Sequence, residues 1–118
     1  MTNPYDIDLD KNPANYQQLT PITYLERAAK VFPEHVAIIH GSQRIAYRTF
    51  WRRALKLASA LSKHGVGKGD TVTVMLSNTP PMLEAHFGVP MVKAVLHCLN
   101  TRLDAAIVAF QLDHAETK

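Results

Sequence analysis

One stretch limits what this chain can fold into, residues 49–76, which read TFWRRALKLASALSKHGVGKGDTVTVML. Phe50, Ala54, Leu57, Ala58 and Leu61 recur at spacings of three and four. That period predicts a helix with one buried stripe. Arg52, Lys56, Ser59 and Lys63 fall on the opposite, solvent-facing side. Thr49 is placed to cap the helix, because its hydroxyl can accept an orphan N–H bond of the first turn. Gly65 follows the last periodic residue, where a left-handed residue without a Cβ ends a helix at low cost. Residues 71–76 are β-branched and apolar, as a buried strand requires. The expectation is a helix that feeds a strand through a tight turn.

The glycines of HGVGKGD, residues 64–70, do not read as a phosphate loop. A dinucleotide fingerprint follows a strand and opens a helix, so that phosphate meets the helix N-terminus. Here the turn closes a helix, whose carbonyl end carries partial negative charge. Lys68 precedes Gly69, so the Lys-Ser/Thr pair of a P-loop is missing as well.

The rest of the chain supplies what such a unit needs. Residues 1–19 lack periodicity and read as an extended arm; 20–118 read as one partial α/β subdomain. Thr20-Pro21 starts a helix with Ile22, Leu25, Ala29 and Phe32 inward, ended by Pro33. Residues 35–40 and 44–48 read as two strands around a three-residue turn, 41–43. Residues 80–92 are apolar almost all round, which predicts a buried helix, bent by Pro90. Residues 94–99 read as another strand, apolar on both faces like 72–76. Asp104 caps a last helix with Ile107, Val108, Gln111 and Leu112 inward. The second half thus alternates strand and helix, the pattern of a parallel sheet, and the next strand is expected beyond Lys118.

Composition excludes several functions. With 118 residues and 47% hydrophobic content, the chain is at most one small domain and is not disordered. A net charge of +3 without interleaved aromatics falls short of a nucleic-acid platform, so no nucleic-acid partner is expected. Cys98 is the single cysteine and fits a reducing compartment, read as cytoplasmic. The polar start MTNPYDIDLDKN is neither a signal nor a transit peptide, and no apolar run is long enough to span a membrane.

No constellation carries chemistry. His97 and Cys98 adjoin in a strand and point to opposite faces, so they do not share a metal. His86 reads as a hydrogen-bonded core histidine or a pocket residue. Ser42 lies in a hairpin turn, outside any nucleophile elbow. Arg52, Arg53, Lys56 and Lys63 read as a solvated basic face. Glu26, Glu34, Glu84, Asp70 and Asp104 fall on different elements, with nothing pairing them for acid–base work. No catalytic, substrate-binding, cofactor-binding or metal residue is assigned.

The order of motifs resembles the N-terminal end of acyl-CoA synthetases, in the AMP-binding, adenylate-forming enzyme family. The family's first core motif, Leu-Thr-Tyr-x-Glu-Leu, is similar to Ile45-Ala46-Tyr47-Arg48-Thr49-Phe50. Its Gly-x-x-x-Gly-Asp turn resembles Gly65-Val66-Gly67-Lys68-Gly69-Asp70, and the strand and asparagine after it match residues 72–78. The second core motif aligns with residues 91–100, and Asn100-Thr101-Arg102-Leu103 resembles fatty and medium-chain acyl-CoA ligases. Lys93 stands where the family has a left-handed glycine; it either costs about 1 kcal/mol or ends the helix differently.

The resemblance implies a fold, the N-terminal part of the large domain, with a short hairpin and then alternating strands and helices on a parallel sheet. It also implies an activity for the intact enzyme: ATP and magnesium activate a carboxylic acid as an acyl-adenylate, and coenzyme A takes the acyl group. The family's phosphate loop, ribose-binding aspartate, hinge and adenylation lysine are not in this sequence. The chain is therefore expected to be an N-terminal ligase fragment, inactive alone and binding no cofactor. Its expected partner is the remainder of the ligase chain, or a second copy through an open sheet edge. The alternative is a truncated, non-catalytic paralogue acting as an interaction module. Acyl chain length and oligomeric state are not written in these residues.

Overall fold

A computed structural model describes residues 7, 8 and 10–118; the remainder of the predicted arm lies outside the described residues. Residues 10–19 are exposed and form neither helix nor strand. Helix α1 (Pro21–Val31) opens with a reciprocal cap. Thr20 Oγ1 accepts from the Thr23 N–H, and Thr23 Oγ1 accepts from the Thr20 N–H. Leu25 is its buried residue, whereas Phe32 lies past its end, largely exposed and stacked on His35. The inward position predicted for Phe32 is thus corrected.

Strands β1 (Val36–His40) and β2 (Gln43–Ala46) form an antiparallel hairpin with Ile38 opposite Ile45. His40 pairs with Gln43, so the loop is two residues and not the three expected, with Gly41 at φ 56°. Such short loops need positive φ, which glycine supplies.

Helix α2 (Tyr47–Lys63) begins before the predicted Thr49 cap, and the N-cap is Ala46, without a side-chain bond. The reason is non-local. The Tyr47 and Arg48 N–H groups donate to the carbonyls of His35 and Pro33, so the orphan donors of the first turn are met by the chain entering the hairpin. The buried stripe stands as predicted, with Phe50, Ala54 and Ala58 inside. Gly65, φ 78°, closes the helix in the left-handed conformation.

Strand β3 (Thr71–Val74) pairs in parallel with β4 (Val95–Cys98) across helix α3 (Pro80–Met91). Helix α4 (Ala105–His114) follows, and Asp104 Oδ1 accepts from the Ala106 and Ile107 N–H groups. Both strands are shorter than predicted. They are half-buried or exposed rather than covered on both faces, with Val95 55% exposed. Likewise α4 buries no side chain fully, and Ile107, expected inward, is exposed. The third strand of the pattern begins earlier than expected. Thr117 bridges Thr71 in parallel, on the β3 edge away from β4, and the Lys118 N–H donates to the Thr71 carbonyl at 3.0 Å.

The core joins the two halves. Leu25, Ile38, Phe50 and Ala54 cluster, and Phe50 meets Phe87 of α3 edge to face, with centroids 5.1 Å apart. Gly88 permits the close approach of α2 and α3, since a Cβ there would sit 2.8 Å from Leu57 Cδ2 and 3.0 Å from the Ala54 carbonyl oxygen.

Candidate functional site

In open parallel sheets, ligands bind in the crevice outside the carboxyl ends of the strands. Here that crevice is a cleft of about 560 Å³ past β3 and β4, lined by Ser77, Asn78, Cys98, Asn100, Thr101 and Arg102. The loop after β4 is held by an Asx bond, in which Asn100 Oδ1 accepts from the Arg102 N–H at 2.9 Å. Thr79 Oγ1 donates to the Ser77 carbonyl at 3.2 Å and holds the loop before α3. The lining offers amides, hydroxyls and one guanidinium, a set that binds and orients polar groups.

Strand alternation keeps His97 out of this set. His97 Nδ1 bonds Thr73 Oγ1 at 3.1 Å, and Thr73 Oγ1 also meets Thr117 Oγ1 at 2.6 Å, a polar ladder across β4, β3 and the bridge residue Thr117. Cys98 is exposed at the cleft, with Sγ 3.9 Å from Met82 Sδ. The two neighbours in sequence are thus separated, as the strand period predicts.

Beside this crevice, across Asn78 and Met82, lies an apolar cleft of about 620 Å³ between β1 and α3, lined in part by Ile38, Leu83, His86 and Phe87. His86 is exposed there, its Nδ1 bonded to the Met82 carbonyl at 2.8 Å. The core-histidine reading is corrected in favour of the pocket one.

Two of the charged contacts that residue spacing did not predict shift the ionisation of a partner. Glu84 is buried on α3 and takes a bidentate bond from Arg53 of α2, Nε to Oε1 at 2.5 Å and Nη2 to Oε2 at 3.2 Å. Glu84, through this bond and its charge, pushes the Arg53 pKa further above its ordinary value. Arg53, its side chain 49% exposed, is thus tied to α3 while staying on the solvated face to which its spacing assigned it. A buried glutamate in an apolar helix needs a cation, and that requirement was the available signal. The second contact is at the glycine turn. Asp70 Oδ2 accepts from Lys118 Nζ at 2.9 Å and from the Gly67 N–H at 2.7 Å. The Lys118 ammonium first, and the Gly67 N–H second, hold the Asp70 carboxyl below the usual carboxylate range.

At the same turn the backbone groups are engaged within the chain. The Gly65 carbonyl faces a cation, Lys118 Nζ, at 2.7 Å, and the Gly67 N–H is taken by Asp70. Among the described residues no three His, Cys, Asp or Glu side chains group to hold a metal ion. Among them also, no helix is long and apolar enough to cross a membrane.

Comparison with known proteins decides the family. The profile of the AMP-binding enzyme family matches residues 25–118. The chain belongs to the AMP-binding enzyme family. Its fold is that of the N-terminal domain of adenylate-forming enzymes. A long-chain-fatty-acid CoA ligase of Rhodopseudomonas palustris superposes with a TM-score of 0.78 at 32% identity, over 84% of this chain and 25% of that one. A peroxisomal acetate/butyrate–CoA ligase of Arabidopsis thaliana is 50% identical over 110 residues, 93% of this chain and 19% of its own length. An acetate–CoA ligase of Humulus lupulus is 48% identical over 108 residues, 92% of this chain and 19% of its own length. The chain thus spans about a fifth of the length of the curated relatives it matches.

Proposed function

We propose that this chain is the N-terminal part of an ATP-dependent acid–CoA ligase, contributing hairpin, sheet and helices to the large domain rather than reacting groups. The observation that carries this reading is the 50% identity to a ligase over 93% of the chain. ATP, magnesium and coenzyme A are the reactants of the longer protein in this reading, and the other four-fifths of the ligase is the partner of these 118 residues. Residues 1–19 are its arm and 20–118 its partial subdomain. The Asn100-Thr101-Arg102-Leu103 turn supports a fatty or medium-chain acid, while the two relatives just described are named for acetate and butyrate. The compartment is a reducing one, read as the cytoplasm from Cys98; the Arabidopsis relative's name supports the peroxisome instead.

The test is a graft. These 118 residues replace the matching segment of the Arabidopsis ligase, and pyrophosphate release and acyl-CoA are followed with acids from acetate to long chains. The chimaera is expected to turn over. A folded chimaera without activity overturns the reading, and the ungrafted chain is expected to release no pyrophosphate above a heat-killed control.

A further inference from the structure

A third cleft, of about 590 Å³, lies between the end of the β1–β2 hairpin, the start of α2 and the start of α3. It is remote in character from the crevice at the strand ends. His40, Arg44 and Arg53 line it together with Thr49 and Thr79, and no acidic side chain does. Each guanidinium is fixed from behind and keeps donors to spare. Arg44 Nη1 donates to the carbonyls of Gly41 and Gln43 at 2.8 and 3.0 Å. Its Nε and Nη2 carry no bond among the described residues. Arg53 is held through Nε and Nη2 by Glu84, which leaves Nη1. Thr49, displaced from the predicted capping position, is exposed on the first turn of α2 and lines the cleft.

We propose that this cleft binds a phosphate monoester of a small organic molecule. A planar carboxylate is satisfied by one guanidinium fork. Here two guanidinia approach from different elements and the Thr49 hydroxyl adds a donor, the Thr79 hydroxyl being spent on the Ser77 carbonyl. That arrangement suits a tetrahedral dianion with three terminal oxygens, which can take one fork on one side and the remaining N–H and hydroxyl donors on the other. The arginines are already ordered, by two backbone carbonyls and by Glu84, so binding forfeits less side-chain freedom than at an unsupported arginine. Gln43 completes the polar part of the wall, and Ile45, Pro80 and Pro81 offer an apolar surface for the organic half of an ester. This assignment concerns residues away from the strand-end crevice and does not depend on the ligase reading.

The experiment is a titration of the full chain followed by the amide resonances of Gln43, Thr49 and Thr79. Three probes separate the sources: phenyl phosphate for a monoester, inorganic phosphate for the free anion, and benzoate for a carboxylate with the same ring. Phenyl phosphate is expected to saturate these shifts and to bind more tightly than phosphate, with benzoate weakest. Arg44→Gln, on an exposed side chain, is expected to weaken phenyl phosphate about tenfold, the loss of one charged donor pair. Arg44→Lys, which keeps charge without the fork, should fall between. Three results overturn the proposal: no saturable shift with phenyl phosphate, equal affinity for benzoate, or unchanged affinity in Arg44→Gln.

Discussion

Lys93 sits at φ 63°, in the region that costs a residue with a Cβ and costs glycine nothing. It ends α3, with its N–H donating to the Pro90 carbonyl at 2.9 Å and its own carbonyl accepting from the Gly69 N–H at 3.1 Å. The lysine therefore adopts the left-handed conformation that favours glycine rather than ending the helix in another way. Lys93→Gly is expected to raise stability by about 1 kcal/mol, read as a higher urea midpoint with an unchanged slope. A lower midpoint would show that the lysine side chain contributes more than its backbone costs. Gly65 is the mirror case: at φ 78° with open space around a Cβ, Gly65→Ala should lose about 1 kcal/mol through backbone strain alone. Asp70 sets a pH dependence. Its folded pKa is depressed by Lys118 and Gly67, so its contribution is present above the unfolded value near 4 and is lost as pH falls through the lower folded value. Lys118→Met should flatten the acid limb of the stability curve; an unchanged limb would remove Asp70 as its source.

At the scale of elements, the packing of α2 on α3 makes the sharpest expectation. Gly88→Ala places a methyl group 2.8 Å from Leu57 Cδ2 and 3.0 Å from the Ala54 carbonyl oxygen. Leu57 can turn aside, but the Ala54 carbonyl belongs to the backbone of α2, so the helices must separate. A loss of about 1–3 kcal/mol is expected by thermal unfolding, as for overpacking in a filled core; a neutral result would mean the helix pair slides freely. Features set by nearby residues were legible in the sequence. The Thr20 and Asp104 caps, the left-handed Gly65 and the α2 stripe each follow from spacing or from one residue's backbone preference, and the parallel sheet follows from the alternation of strand and helix. Features set by distant residues were not. The start of α2 depends on carbonyls of His35 and Pro33, and the Arg53–Glu84 pair joins positions 31 residues apart. The hairpin loop length follows from the pairing of His40 with Gln43, a register the turn composition alone leaves open. The candidate site was not legible: no site residue was assigned from the sequence, and His86, read there as a core or a pocket residue, reached the cleft by its place on α3 relative to β1, which no local period encodes.

At the scale of the whole molecule, the surface decides how the chain behaves in solution. Its accessible area is 8780 Å², against about 6,400 Å² for a closed monomer of this mass. The Cα radius of gyration is 18.1 Å, where a closed domain of this length has roughly 13–14 Å. The exposed residues 10–19 account for part of the difference, and apolar side chains account for another part. Ile39 is 67% exposed on the hairpin, Val95 55% on β4 and Phe110 66% on α4. These lie on three elements, and burying each would contribute about 1.5–3 kcal/mol. A domain has only about 5–15 kcal/mol of net stability, so three unburied anchors are a large fraction of it. One edge of β3 is taken by Thr117 and Lys118, whereas β4 has only β3 as a partner among the described strands. Its outer N–H and C=O groups, beside Val95, form a template for another strand. The isolated chain is therefore expected to be marginal and to associate with rising concentration through the β4 edge and the α4 face. Light scattering with thermal unfolding across a concentration series measures both. Val95→Lys on the β4 edge should shift the protein toward monomer, because a charge on an edge strand opposes pairing. A concentration-independent monomer with a sharp transition would show instead that these residues close their own core. The ligase reading would then have to accommodate a self-sufficient module.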